Sequence, residues 1–136
     1  MSSPVLLDTN ALIWSVEGDS RIGSRSRIIA DTALREDLLL VSAVSFWEIA
    51  MLAMRGRIKL AYPAGEWRQT ALRLGIKEIP LTGHIGIRAV ELDGLPGDPA
   101  HRIITATAMA QGATLITADP SILGWQGQLM RHDARL

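Results

Sequence analysis

Short apolar runs alternate along this chain with longer segments whose apolar residues recur at helical spacing. Runs of buried-strand length lie at residues 4–7, 38–41, 76–81 and 113–117. Segments that favour helices lie at residues 10–16, 21–34, 43–54, 63–74, 82–92 and 100–110, with a short last helix from 119–120. The tail at 129–132 is a candidate edge strand.

Alternating strands and helices are typical of a parallel sheet with right-handed crossovers. The pattern therefore predicts an α/β fold: one three-layer α/β/α domain over residues 1–136, with a central parallel sheet of four or five strands. We find no internal repeat, no linker and no composition shift that would divide the chain.

Composition and charge exclude several classes of function. Apolar residues make up 48% of the 136 residues, which is enough for one domain with a sizeable core. Lys and Arg together number 14, as do Asp and Glu, so bulk attraction to nucleic acid is excluded as the main binding mode. The absence of cysteine excludes a disulfide scaffold, a thiol nucleophile and a thiolate-ligated metal site.

Neither a secretory signal nor a membrane span is expected. The N-terminal segment has no basic region and reaches an acid at Asp8, and the longest uncharged run, residues 103–118, is shorter than a membrane span. We therefore expect a soluble, cytoplasmic protein with no membrane association.

Four acids stand where a parallel sheet would collect them. Asp8 follows the first predicted strand, Asp119 follows the fourth, Glu48 lies in the helix after the second, and Asp98 begins the penultimate helix. Sites in open parallel sheets form beyond the carboxyl ends of the strands. If the first and fourth strands are central neighbours, these acids converge.

Each acid also has a structural interpretation. Asp98 and Asp119 precede proline, as helix N-caps commonly do, and Asp8 could cap the first helix. Glu48 follows Ser45 at capping-box spacing, although Ser42 is the better candidate for that cap. Carboxylates that converge repel one another, and a divalent cation removes that repulsion. Oxygen ligands without thiolates suit Mg²⁺ or Mn²⁺.

Other catalytic motifs are missing from the chain. It contains no phosphate-binding loop, no dinucleotide-binding GxGxxG, no nucleophile elbow and no HExxH. The position two residues after Asp8 is Asn10, so the paired aspartates of an aspartyl-phosphate phosphatase are absent as well.

Four blocks in order resemble the PIN domain, specifically the VapC toxins of bacterial VapBC toxin–antitoxin pairs. They are LLDTNALIW at 6–14, SAVSFWEIAML at 42–52, GDPAHRIITATAMAQGATLIT at 97–117 and ADPSIL at 118–123. The resemblance covers nearly the whole chain. It implies a PIN-like fold and a metal-dependent endoribonuclease that hydrolyses RNA with Mg²⁺ or Mn²⁺, through one or two ions.

Carried over residue by residue, the resemblance makes Asp8, Glu48 and Asp119 catalytic and metal-ligating acids. Thr9 and Asn10 match supporting positions of the first motif, and Thr117 matches a polar position beside the last acid.

The third acid is where this chain departs from the family pattern. VapC proteins commonly read DPxDR here, whereas this sequence reads DPAHR, so that His101 stands in place of the second aspartate. Asp98 remains three residues earlier, on about the same helix face. Two readings stay open: Asp98 is only a helix cap and a ligand is lost, or Asp98, as a further catalytic acid, or His101 completes the metal site.

The resemblance also implies a VapB-type antitoxin, with a homodimer and a hetero-oligomer as expected assemblies. Residues 55–77 carry six basic side chains against Glu66 alone, so we predict RNA contacts from Arg55, Arg57 and Lys59, together with Arg102. A solvated helix face is the competing interpretation of this stretch. Trp67 could stack on a base, but a core position is the stronger expectation.

Two other functions compete with the toxin ribonuclease. The first is a non-catalytic PIN-like module that binds RNA or protein, its metal site impaired by His101. The second is a DNA or flap nuclease, which would use the same chemistry. The small size of the chain and the lack of an added DNA-binding element favour the toxin.

Overall fold

The computed structural model describes residues 2–136, and its centre is a sheet of five strands that pair in parallel. The strands are β1 (Val5–Leu7), β2 (Leu39–Ser42), β3 (Lys77–Ile79), β4 (Thr114–Thr117) and β5 (Arg131–Asp133). Their order is β3-β2-β1-β4-β5. The predicted α/β fold is confirmed, and the predicted edge strand in the tail is present as β5.

Helices cover both faces of the sheet. They are α1 (Thr9–Glu17), α2 (Ser24–Arg35), α3 (Ala43–Met54), α4 (Ala64–Arg73), α5 (Gly83–Glu91), α6 (Pro99–Gln111) and α7 (Pro120–Leu123). Within residues 2–136, none of them combines the length and apolar character that crossing a membrane would require.

The core is divided in two by the sheet, as alternation along a strand dictates. Leu7 packs with α1, α2 and α4, whereas its neighbour Leu6 points to the other face and packs with α5 and α6. Both side chains are fully buried. Because β1 is buried on both faces, it has the continuous apolar sequence that is typical of a central parallel strand.

Three of the differences between the predicted and the observed element boundaries have clear local reasons. Helix α1 begins at Thr9 because Asp8 is its N-cap. Helix α2 begins three residues later than predicted, since Asp19 holds Arg21 and Ile22 in a preceding turn. Strand β3 spans only Lys77–Ile79, and Pro80, which has no N–H to donate, follows it directly.

The strand order places the carboxyl ends of β1 and β4 side by side. Leu7 pairs with Ile116, so Asp8 and the residues after Thr117 leave the sheet together. From β1 the chain crosses to β2, and β4 lies on the opposite side of β1, so a topological switch point falls at this edge. The four candidate acids lie near that edge of the sheet.

Candidate active site

Asp8 lies at the centre of the carboxyl edge and is 3% exposed. Its Oδ1 accepts a hydrogen bond from the Ala11 N–H at 2.8 Å and so caps α1, while its Oδ2 accepts one from the Thr117 hydroxyl at 2.6 Å. Burial raises the pKa of Asp8 above its ordinary value, and the two hydrogen bonds oppose that shift. The pKa also responds to charge on His101, which lowers it, and on Glu48, which raises it.

Thr117 links Asp8 to the last acid. Its fully buried hydroxyl donates to Asp8 and accepts a hydrogen bond from the Asp119 N–H at 3.0 Å. Asp119 uses Oδ2 to cap α7 through the Ile122 N–H at 3.0 Å. Its Oδ1 lies 3.7 Å from Nδ1 of His101, so one oxygen of Asp119 serves the helix and the other faces the site.

Glu48 is positioned from the opposite side by α3. The N-cap of α3 is Ser42, whose hydroxyl accepts from the Val44 N–H at 3.2 Å, so Glu48 is not needed to close a capping box with Ser45. Oε1 of Glu48 accepts a hydrogen bond from the Thr9 hydroxyl, and Thr9 Oγ1 lies 3.1 Å from Ser45 Oγ. The buried pair Thr9 and Ser45 therefore holds Glu48 toward Asp8.

Asp98 and His101 complete the group from the start of α6. Oδ1 of Asp98 accepts from the Ala100 N–H at 2.9 Å and from the His101 N–H at 3.4 Å, which confirms Asp98 as a cap. Even so, Glu48, Asp98 and His101 each offer a ligand atom, and these atoms lie within 4.8 Å of one another. Two carboxylates and one imidazole at this spacing fit a divalent cation of the first transition row or Mg²⁺.

A cavity of about 460 Å³ opens over this edge. Four of the residues that the sequence predicts line it, namely Asp8, Asn10, His101 and Asp119. It is also lined by Trp14, Arg21 and Arg135, which sequence reasoning missed. Arg135 is the second-to-last residue, and no local pattern connects it with Asp8.

Arg102 has a structural role that competes with its predicted RNA contact. Its guanidinium donates to the carbonyl oxygens of four residues at the end of α5 and in the loop beyond, Ala89, Val90, Leu92 and Leu95. These carbonyls have lost their helical partners, and the guanidinium satisfies them. Because these donors are used within the chain, an RNA contact would have to use the remaining N–H of Arg102, and it stays a prediction.

Replacing Arg102 with alanine should lower the free energy of unfolding by about 2 kcal/mol, because several carbonyl oxygens lose a charged donor at once. Urea denaturation of the variant, compared with Arg73→Ala at an exposed position of α4, measures this loss. A variant as stable as the parent would show that the carbonyl contacts contribute little.

The remaining basic residues lie away from the acids. Arg55, Arg57 and Lys59 are exposed beyond the end of α3, and Arg55 is seven positions past Glu48, which is about 10 Å along a helix. Two other basic residues of this stretch are engaged in ion pairs, Arg68 with Glu78 and Lys77 with Asp37. If Arg55, Arg57 and Lys59 contact RNA, they would bind a part of the strand that lies outside the cavity.

Trp67 belongs to the core, which confirms the core position that we expected over base stacking. It is 1% exposed, packs its ring edge-on against Phe46, and donates from Nε1 to Glu17 at 3.2 Å. A ring in this position cannot stack on a base.

The fold and this edge define a class of protein: a parallel α/β domain whose carboxylates and one imidazole are placed to bind a divalent cation. The family model described as the PIN domain matches residues 5–123. The chain therefore belongs to the PIN domain family, and the resemblance inferred from its motifs is confirmed.

Individual relatives agree with that assignment. Ribonuclease VapC22 from Mycobacterium tuberculosis is 36% identical over 116 residues, which is 85% of this chain and 86% of that protein. A toxin–antitoxin complex from Klebsiella pneumoniae contains a chain of similar fold, with a TM-score of 0.60, 21% identity, and coverage of 90% of this chain and 92% of that chain.

A second solved structure supports the fold. It is VapBC2 from Rickettsia felis bound to a DNA fragment from its promoter, with a TM-score of 0.61, 16% identity, and coverage of 94% of this chain and 96% of that chain. At these identities the two solved structures establish a shared architecture, and the sequence relative connects the chain to VapC ribonucleases.

Proposed function

We propose that this protein is a metal-dependent endoribonuclease that acts as the toxin of a toxin–antitoxin pair. The observation that carries the proposal is the convergence of Asp8, Glu48, Asp119 and the Asp98–His101 pair at one edge of a PIN fold. The identity to Ribonuclease VapC22 supports RNA as the substrate.

Glu48, Asp98 and His101 would hold the divalent cation, with Asp8 and Asp119 beside them as further ligands. A bound Mg²⁺ or Mn²⁺ supplies a Lewis acid and lowers the pKa of a bound water. One ion or two would fit this donor set, because Glu48 and Asp98 lie on one side of His101 and Asp8 and Asp119 line the cavity beside it.

The chain's own residues prepare this site before any ligand arrives. Thr117 fixes Asp8 and the loop that carries Asp119, while Thr9 fixes Glu48. Because each hydroxyl already holds a carboxylate in place, the acids lose little conformational freedom when they bind a cation. Such preorganisation is what positions a phosphodiester for in-line attack.

Cleavage of total cellular RNA by the purified protein tests the proposal. We expect fragments to accumulate with Mn²⁺ or Mg²⁺ and to fall to the no-protein background when EDTA is present in excess, because the carboxylates alone repel the phosphodiester. Single-stranded DNA in parallel distinguishes a ribonuclease from a DNA nuclease. Cleavage that persists in EDTA would contradict a metal-dependent mechanism.

The competing non-catalytic module rests on the replacement of an acid by His101. It is not favoured, because Asp8, Glu48 and Asp119 are all present and the structure brings His101 to the same site. No cleavage in the experiment above, together with RNA binding in a separate anisotropy measurement, would support that module.

A VapB-type antitoxin and a second copy of the chain are the partners we propose, with the cytoplasm as the place of action. Large apolar side chains on two helices support protein partners. Trp47 and Met54 of α3 are 57% and 81% exposed, and Ile87 and Val90 of α5 are 63% and 79% exposed. Apolar area of this kind is common at protein interfaces.

A further inference from the structure

An RNA strand meets an electrostatic obstacle at the acidic edge. Asp8, Glu48, Asp98 and Asp119 face the same site, and a phosphodiester brings further negative charge. A divalent cation offsets part of this repulsion. A second positive group near the acids would hold the strand, and two arginines, Arg21 and Arg135, line the cavity.

Arg135 reaches the cavity because β5 carries the chain alongside β4. Thr117 pairs with Asp133, and the next residue, Ala134, is fully buried. The Ala134 N–H donates to the Thr117 carbonyl at 2.9 Å, and the Ala134 carbonyl accepts from the Gly23 N–H at 2.8 Å. The backbone is thereby fixed on both sides directly before Arg135.

The Arg135 side chain is held over the loop that carries the last acid. The backbone N–H of Arg135 donates to Oδ1 of Asp133 at 3.0 Å, and Nη2 of its guanidinium donates to the carbonyl of Ala118 at 3.0 Å. Ala118 directly precedes Asp119. The guanidinium is therefore oriented by the same loop as Asp119.

The two arginines differ in whether their charge is already neutralised. Arg21 binds Asp19 through two nitrogens, at 2.7 and 3.1 Å, and lies over the ring of Trp14. Arg135, in contrast, makes no ion pair with any acid among residues 2–136. Arg135 is thus the cavity arginine whose charge and remaining N–H groups are available to a ligand.

We propose that Arg135 forms a phosphate-binding subsite for the RNA backbone beside the acidic edge. This deepens the proposed ribonuclease function and rests on it. A guanidinium presents planar paired N–H donors that match two phosphate oxygens, and one anchored through Nη2 keeps other donors free. The contact holds a backbone phosphate whatever the base, so it raises affinity without selecting a sequence.

The experiment compares RNA binding by Arg135→Gln and by its parent, both in an Asp8→Asn background that prevents cleavage. The probe is a fluorescein-labelled RNA hairpin, followed by anisotropy in Mn²⁺ between 50 and 200 mM NaCl. We expect binding about three- to tenfold weaker at 50 mM and a log–log salt slope smaller by about 1, because one phosphate contact is lost. Arg135→Lys, which keeps the charge, should retain most of that slope.

Arg88→Gln is the matched control. It removes the same charge beside Ala113, at the amino end of β4 and away from the acids. The RNA affinity and its salt slope should therefore equal those of the parent. In the cleavage-competent protein, Arg135→Gln should raise KM by more than it lowers kcat, since the subsite binds a phosphate away from the reacting bond.

An unchanged slope in Arg135→Gln would overturn the subsite. A lower melting temperature with an unchanged slope would overturn it too, by showing that the Ala118 contact is structural only. If the protein without the Asp8→Asn change binds RNA but does not cut it, the ribonuclease is refuted, while the slopes still decide the subsite. If that protein neither binds nor cuts RNA, both proposals are refuted.

Discussion

Replacing Asp8 with asparagine should reduce RNA cleavage by at least about 10²–10³-fold, because the central carboxylate of the site loses its charge. Asp8 accepts hydrogen bonds from Thr117, the last residue of β4, and from the start of α1, so it lies between the elements that carry the other acids. The amide of asparagine can still cap α1 through its oxygen. The fold should therefore persist while the activity is lost.

The same substitution should raise the melting temperature of the protein in EDTA. Burial raises the pKa of Asp8 in the folded state, so the ionised carboxylate opposes folding at neutral pH. That opposition disappears as the pH falls below the unfolded-state pKa, since the carboxyl is then protonated in both states. The stability gain of Asp8→Asn should accordingly be present at neutral pH and shrink on acidification.

Asp31→Asn, at an exposed position of α2, provides the control with the same change of charge. It should leave both cleavage and melting temperature at parental values. Parental cleavage by Asp8→Asn would remove Asp8 from the site. Reduced stability in EDTA at neutral pH would show that its hydrogen bonds outweigh the cost of its burial.

The structural and functional interpretations of the acids, which compete at the level of sequence, turn out to be compatible. Asp8, Asp98 and Asp119 are all helix N-caps, and each caps with one carboxylate oxygen. The second oxygen of Asp119 faces His101, and that of Asp8 meets Thr117. Helices that begin at the carboxyl edge of a sheet place their caps there, so cap chemistry and site location coincide and local patterns predict both.

Contacts between distant segments could not be predicted in the same way. Arg102 and Arg135 are both exposed-type residues whose charge gives no hint of their partners. Arg102 binds carbonyls in the loop after α5, whereas Arg135 reaches Ala118 only because β5 pairs with β4. A buried strand can be predicted from its apolar pattern. An arginine cannot be assigned in this way, because the same local sequence allows its guanidinium to bind backbone carbonyls or a ligand.

His101 stands where the DPxDR motif would carry an aspartate, and introducing an acid there should tighten Mg²⁺ binding about 10- to 100-fold. An aspartate oxygen occupies the δ position, as Nδ1 of His101 does, so His101→Asp would place a carboxylate near Glu48, Asp98 and Asp119. Without metal the added charge is repelled, and the melting temperature in EDTA should fall or stay level. With metal the same charge is attracted.

Thermal shifts over Mg²⁺ and Mn²⁺ titrations measure both effects without recourse to activity. A tenfold tighter site adds about 1.4 kcal/mol of stabilisation at saturating metal. His101→Asn is the matched control, because it removes the imidazole without adding charge and should weaken Mn²⁺ binding more than Mg²⁺ binding. If the parent and both variants give the same shifts for both ions, His101 is not a ligand, and Asp98 alone would supply the third acid.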